Sequence, residues 1–384
     1  MKLKVRPEDF RVEERLRLRL KRAGKYSIYR LKKRYWNTLD VINNLEQRHG
    51  LRRLSRAGLK DRYALSTQYL SLPGRGPRLI AGKNYTLRLA GMADEPVSRD
   101  VLLGNSFRIT LRALTDDEAA AILAAAPKVN RFGFPNYYDE QRLGSARHGQ
   151  GFIARRLIAG HFNGALRLWL GAPSAADDSR TRRQKAAIEE HWGDWARILE
   201  LAPPEARPAI EHLCRSPKNF KGAAYLMPRP LLELFVNAYQ AWLWNQTLSV
   251  LLAEMKVPVR ELTYSHGTLA FCDGLSPTDA RFLSRLVIPA PGPDAEFSSE
   301  RAARAANQVL AREGLSLDRL KLKLRIRGVF FKAYPRKAVV VPERLKASAP
   351  EPDDLYPGLK KLVLSFILPP GSYATMLIKR LSLP

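Results

Sequence analysis

The chain has 384 residues, is 45% hydrophobic, and carries 65 Lys and Arg against 37 Asp and Glu, a formal net charge of +28. That length supports two or three domains with a sizeable core, and so large an excess of cations favours a polyanionic partner, nucleic acid before an anionic membrane surface. No apolar run approaches the roughly 18 residues of a spanning helix, Met1–Pro7 lacks the apolar stretch of a secretory signal, and Cys214 and Cys272 alone make neither a disulfide framework nor a zinc cluster, which fits a reducing, cytoplasmic location.

Cations crowd the start of the chain, with 14 Lys and Arg against 4 Asp and Glu between Lys2 and Arg34. Arg15-Leu16-Arg17-Leu18-Arg19-Leu20 alternates strictly, which predicts a strand with one basic and one apolar face. Tyr26 to Leu31 alternates less cleanly and reads as its hairpin partner or neighbour. Tyr26, Tyr29, Tyr35 and Trp36 lie among these cations, a mixture suited to gripping phosphates and stacking bases. Asn37 or Thr38 can cap a helix through Leu39, Ile42 and Leu45 that Gly50 stops. A loop with Lys60-Asp61-Arg62 follows, then strands around Thr67–Leu72, Asn84–Leu89 and Phe107–Leu111. Thr115-Asp116-Asp117-Glu118 supplies an N-cap and first-turn acids for an Ala-rich helix. This region is expected to be α+β with a mostly antiparallel sheet.

The pattern changes after about residue 150. Helices are expected over 151–170, 184–195, 231–255 and 298–313, with a small, polar, mobile stretch at 171–180. Short strands are expected at Leu262–Phe271 and Leu322–Ile326. Lys361–Leu368 is strand-like, Pro369-Pro370-Gly371-Ser372 breaks it, and Tyr373–Leu381 looks helical. The predicted architecture is an α+β domain, residues 1–161 and 333–384, interrupted by a helix-rich α+β insertion, residues 162–332.

Walker loops, dinucleotide fingerprints, zinc-deaminase motifs and nucleophile elbows have no counterpart here. The six His, at 49, 148, 161, 191, 212 and 266, show no metal-ligand spacing. No metal and no cofactor are expected. Asp61 stands out. As one carboxylate between Lys60 and Arg62, in a loop between helix and strand, it is either an ion-pair brace or a reactive group facing a polyanion.

Four segments carry a resemblance. Gly58-Leu59-Lys60-Asp61-Arg62-Tyr63-Ala64-Leu65-Ser66-Thr67-Gln68 resembles the active-site motif of the TruD family of RNA pseudouridine synthases. Pro7-Glu8-Asp9-Phe10-Arg11-Val12-Glu13 is similar to its N-terminal motif. Pro135-Asn136-Tyr137-Tyr138-Asp139-Glu140-Gln141-Arg142-Leu143-Gly144 is similar to its second core motif, and Leu368-Pro369-Pro370-Gly371-Ser372-Tyr373-Ala374-Thr375 to its C-terminal one. Asn237–Asn245 resembles a helix of the family's inserted domain. Ser66 stands where Thr is common, Asp139 where Gly is common, Leu143 where Phe is common, and Tyr138 where bacterial members often carry Phe.

The resemblance implies a pseudouridine synthase core split by a family-specific insertion, and an isomerase acting on tRNA, formally at uridine 13 of the D-arm. It implies that Asp61 is catalytic and that Phe10, Asn136, Tyr138 and Tyr373 line the uridine pocket. Direct attack of Asp61 on C1′ and removal of the C2′ proton both remain open. Arg15, Arg17, Arg19, Lys32, Lys33, Arg34, Lys60 and Arg62 are the cations expected to meet the RNA backbone. A monomer with no obligate protein partner and no membrane contact is expected. A non-catalytic RNA-binding protein of the same fold, and the same chemistry on another RNA, are the alternatives.

Overall fold

The computed structural model describes residues 1–144, 151–174 and 177–383; His148 and part of the expected mobile stretch lie outside them. The chain forms two compact units, Met1–Phe134 with Val340–Pro384, and Pro135–Val339.

The first unit is built on a mixed, mainly antiparallel sheet. Its early elements are β1 (Phe10–Leu16), β2 (Tyr26–Lys33), α1 (Thr38–His49), β3 (Ser55–Arg56), β4 (Leu65–Pro73), β5 (Leu79–Gly82), β6 (Tyr85–Ala93), β7 (Leu102–Leu114) and α2 (Asp116–Phe132). Strands Glu343–Ala347 and Lys360–Leu368 return to the same sheet. From edge to edge the order is Glu343–Ala347, Lys360–Leu368, β7, β1, β4, β2, β6, β5, with β1 and β4 parallel. Helix Ala374–Leu381 follows the last strand.

Alternation explains which face each strand buries. Tyr29 and Leu31 of β2, Leu70 and Leu72 of β4 and Leu87 of β6 form one cluster with Val41 and Leu45 of α1. Each such Leu contributes roughly 1.5–3 kcal/mol on burial. Thr115 caps α2 through a capping box with Glu118, so the helix begins where its sequence signal placed it.

Two expectations for the basic start are corrected. The alternating run 15–20 stays in strand only to Leu16; the Arg17 N–H bonds to the carbonyl of Val101, just before β7, and the chain then leaves the β1 ladder. Leu18 and Leu20 therefore lie outside the sheet. Nor is β2 the hairpin partner of β1. Residues 17–25 run to the far side of β4, where Lys21 bridges Met92, and β4 is inserted between the two strands. Gly104 shows why β7 can pair so closely with the returning strand: a Cβ there would lie 2.4 Å from the carbonyl oxygen of Leu368.

Arg112 of β7 ties the N-terminal motif to the C-terminal segment. Its Nε donates to Asp9 at 3.0 Å, and its Nη1 to Asp353 and Asp354 at 2.8 Å each. Asp9 also accepts the Arg6 N–H at 2.9 Å, which closes the short turn that delivers Phe10 to β1. Burial works against the guanidinium charge, but bonds to Asp354, Asp9 and Asp353 outweigh it and hold its pKa above the ordinary value.

The second unit is mostly helical. Helix Arg229–Glu254 threads its core, which includes Leu232, Phe235, Tyr239 and Leu243, and no turn of it lacks buried residues. The expected helix 151–170 is two helices, Ile153–Ala159 and Phe162–Leu170, because Gly160 caps the first at φ +78°. Val259–Tyr264 and Gly267–Cys272 form a hairpin where one strand was expected. Leu322–Ile326 is not a strand. Leu324 is buried among the helices and the Lys323 N–H bonds to Leu157, so the segment has no ladder to join.

The division between units differs from the expected boundaries at 161/162 and 333. Residues 135–161 and 333–339 belong with the second unit. The cause is local. Asn245 of the long helix brackets Tyr138, accepting from its N–H at 2.8 Å and donating to its carbonyl at 2.9 Å, and Tyr137 donates to Ala270 at 2.7 Å.

Truncating Arg112 would leave Asp9 and Asp353 as buried charges without their cation. Arg112→Met is expected to lower unfolding stability by about 3–5 kcal/mol at pH 7, read from urea denaturation. Burial raises the Asp353 pKa, but the N–H groups of Ala113 and Leu355 and the Arg112 charge lower it further; Arg112, then Lys361, depresses Asp354. A carboxyl with a depressed folded-state pKa contributes stability above its unfolded value and loses it as pH falls. The gap between wild type and variant is therefore expected to narrow below the ordinary Asp value of 3.8.

Candidate active site

The Asp61 loop joins β3 to β4 and is held from beneath by polar groups of the sheet. Lys33, the last residue of β2, points to the buried side with Tyr29 and Leu31. Its ammonium donates to the carbonyls of Trp36 at 2.8 Å, Lys60 at 3.1 Å and Asp61 at 3.0 Å. Thr38 accepts the Lys60 N–H at 3.0 Å and donates to Gln68 at 2.8 Å, and Gln68 reaches back to the Gly58 carbonyl. Lys60 itself is drawn inward to a buried ion pair with Glu14 at 2.6 Å, and Glu14 also accepts the Tyr69 N–H. The loop backbone is thus fixed at Gly58, Lys60 and Asp61, the kind of support that holds a reactive group in one geometry.

The Asp61 side chain is about half exposed above this base. Its Oδ2 meets the Lys4 ammonium at 2.6 Å, and the same ammonium lies 4.4 Å from the centre of the Phe10 ring. Phe10 packs edge-on against Phe107, which stacks on Phe366. The cation beside Asp61 is therefore Lys4, rather than the flanking Lys60 or Arg62. Arg62 lies exposed and donates to the Tyr35 carbonyl at 3.2 Å.

An aromatic rim borders the loop. Tyr35 and Tyr63 meet edge-to-face at 6.4 Å, and they are 45% and 58% exposed. Tyr35 holds φ at +60°, an unfavourable conformation for a bulky residue, and the Lys33 bond to the next carbonyl helps to keep it there.

Among the other expected site residues, Tyr373 is a half-buried N-cap of helix Ala374–Leu381, in the first unit with Asp61 and Phe10. Asn136 and Tyr138 belong to the second unit. Arg336 organises them, with Nη2 donating to Asn136 Oδ1 at 3.0 Å and the guanidinium 3.8 Å above the Tyr138 ring. The Asn136 amide also donates to Lys337 at 3.1 Å, and the Tyr138 hydroxyl bonds to that of Tyr334 at 2.8 Å. Both side chains are buried and engaged within their unit. Asp139 has φ −78°, so the position asks for no glycine, and Leu143 is fully buried. Among the cations expected to meet RNA, Arg15, Arg17, Arg19, Lys32, Arg34 and Arg62 are exposed, whereas Lys33 is buried and Lys60 nearly so, both occupied as described.

The sequence matches the family model "tRNA pseudouridine synthase D (TruD)" over residues 1–381. The chain belongs to the TruD family. A tRNA pseudouridine synthase D of Aquifex aeolicus is 31% identical, over 99% of this chain and 98% of its own length. A relative from Methanocaldococcus jannaschii, named "Probable tRNA pseudouridine synthase D 2", is 33% identical, over 99% of this chain and 91% of its own length. A crystal structure bearing the TruD name, from Methanosarcina mazei, superposes with a TM-score of 0.77 at 26% identity, over 99% of this chain and 93% of that one. Membership makes the chain an isomerase of the pseudouridine synthase class.

Within the TruD frame, the sequence reading missed Lys4 and Glu14, and it placed Lys33 on the RNA-facing surface although its ammonium is buried. A signal for Lys33 and Glu14 was present. Lys33 stands two residues beyond Leu31 and Glu14 two beyond Val12, so alternation alone puts both polar groups on the inner face, where each needs a partner. Lys4 lies outside any regular element and gave no signal.

Burial pulls the Lys33 pKa down to about 8, against the charge of Asp61 and with that of Lys60. Below that pH the ammonium holds the loop; above it the charge is lost. Turnover is expected to show an alkaline limb with a midpoint near pH 8. Lys33→Met would free three carbonyls, lower turnover by about 10²-fold, and remove that limb from the residual pH profile.

Proposed function

We propose that this chain isomerises uridine to pseudouridine in tRNA, with Asp61 as the carboxylate acting at the sugar. The observation that carries the reading is the Asp61 side chain, half exposed on a backbone fixed from below, with Lys4 at 2.6 Å and Phe10 beneath the same ammonium. The N1–C1′ bond breaks, the uracil turns over, and C5 bonds to C1′. The C5 hydrogen leaves to solvent and N1 takes up a proton, so atoms balance with no oxidant and no added group. Asp61 either attacks C1′ or removes the C2′ proton.

The resemblance gives the base to Phe10, buried under the Lys4 ammonium, and half-buried Tyr373, both in the same unit as Asp61; stacking on such rings tolerates in-plane rotation of a detached base. The resemblance also implies base-contacting roles for Asn136 and Tyr138, which are buried and engaged within the second unit. It assigns residues 1–161 and 333–384 as the catalytic domain and 162–332 as the family's insertion, with uridine 13 of the D-arm as target. Drawing that base out of its stack costs a few kcal/mol, which phosphate contacts from Arg15, Arg17, Arg19, Lys32, Arg34 and Arg62 would offset. No helix among the described residues is long and apolar enough to cross a membrane.

The test uses unmodified tRNA transcript labelled with tritium at uridine C5. Wild type is expected to release tritium from a single position, mapped by mass spectrometry, and Asp61→Asn to bind the transcript but release none. Normal release by Asp61→Asn would remove the catalytic assignment. Binding by wild type with no pseudouridine on any RNA would leave an RNA-binding protein of the same fold.

A further inference from the structure

One face of the first unit's sheet carries a feature that the Asp61 site does not use. A groove of about 480 Å³ lies over β6, β2, β4, β1 and β7, and Arg11, Glu13, Arg30, Lys32, Arg88 and Arg108 are among its lining residues. These alternate with the inward residues of the same strands: Arg30 and Lys32 with Tyr29, Leu31 and Lys33, and Arg108 with Phe107 and Ile109. The strand register then sets like charges directly opposite each other twice. Arg11 pairs with Arg108 across β1 and β7, and Arg30 with Arg88 across β2 and β6.

Like charges directly opposite on one sheet face destabilise it. Glu13 is the only carboxylate among the groove's lining residues, and it is taken by Arg30 at 2.7 Å. Arg11 donates to the Glu8 carbonyl. The side chains of Lys32, Arg88 and Arg108 are exposed and have no hydrogen bond or ion pair with the described residues. Solubility asks for charge, but not for arginines set face to face. An anion bridging each pair would turn the repulsion into attraction. From β7 to β6 the groove crosses four interstrand spacings, roughly 19 Å, which is room for several phosphates. Its middle strands adjoin the Asp61 loop: Arg11 pairs with Leu65, four residues beyond Asp61, and Lys32 precedes the lysine that holds the Asp61 carbonyl.

We propose that this groove is a track for the sugar–phosphate backbone of the RNA, with Arg88 and Arg108 as phosphate contacts at its two ends. The RNA partner rests on the function proposed above; the polyanion track rests on the groove itself. The cations are held there against the stability of the empty sheet.

The measurement is anisotropy of fluorescein-labelled tRNA transcript over a salt series, with wild type, Arg88→Gln, Arg108→Gln, the double variant, and Arg99→Gln as a matched loss of charge elsewhere in the unit. The double variant is expected to bind ~10-fold or more weakly near physiological salt. Its log–log salt slope should flatten by about 1.4–1.8, the loss of two phosphate contacts. Its Tm without RNA should rise, since both opposed pairs are relieved, and Arg88→Lys with Arg108→Lys should restore binding. Wild-type affinity and slope in the double variant would overturn the proposal. So would an equal loss in Arg99→Gln, which would make the effect one of bulk charge. So would a lowered Tm with unchanged binding, which would make the arginines packing groups. Binding is read without turnover, so absence of pseudouridine in the wild-type assay would sink the enzymatic reading while this comparison still decides the track.

Discussion

The ammonium of Lys33 is the constraint on which the candidate site depends. One buried cation collects carbonyls from Trp36, Lys60 and Asp61 and so binds two loops into one body. A buried lysine without such partners would be costly, and three carbonyls without a donor would be equally so. Each side of the arrangement therefore requires the other. The Asp61 carboxylate can project into solvent because its own backbone has no freedom left. Tyr35, in its strained conformation, is held by the same knot.

The chain's cations divide into two populations that composition cannot separate. Lys33, Arg112 and Arg336 are buried, and Lys60 nearly so. Each organises a segment: Lys33 and Lys60 the Asp61 loop, Arg112 the turn before Phe10, Arg336 the Asn136–Tyr138 stretch. Arg380 is buried as well, whereas Arg15, Arg17, Arg19, Lys32, Arg34 and Arg62 lie on surfaces and shape the field around the protein. Net charge thus overstates what is available to a polyanion, because some of the positive side chains are internal fastenings.

Much of the fold was legible in the sequence where the signal is local. The Thr115 capping box, the stop before Gly50, the long apolar helix through Tyr239 and Leu243, and the break at Pro369–Ser372 all rest on residues close together in the chain. Sheet order was not legible. That β4 runs parallel to β1 and separates it from β2 depends on where residues 17–25 travel, and no local pattern states this. Within the candidate site, the motif singled out Asp61, but the cation beside it was not legible. Sequence adjacency suggested Lys60 and Arg62, while Lys60 was already committed to Glu14 and Arg62 pointed outward. Lys4 reaches Asp61 only through tertiary folding. Where the compact units part was likewise not legible, since Tyr137 and Tyr138 are fastened by residues more than a hundred positions away.

The return of Lys360–Leu368 to β7 has a consequence for biosynthesis. The sheet is interrupted by residues 135–339, about 200 residues, which a ribosome takes roughly 10–40 s to add. Throughout that interval β7 presents an unpaired edge, and the Arg112 guanidinium lacks two of its three carboxylates. The nascent first unit must therefore wait, incomplete and with an adhesive flank, until its final strands emerge, which makes that period the point in the protein's life when chaperone cover would matter most.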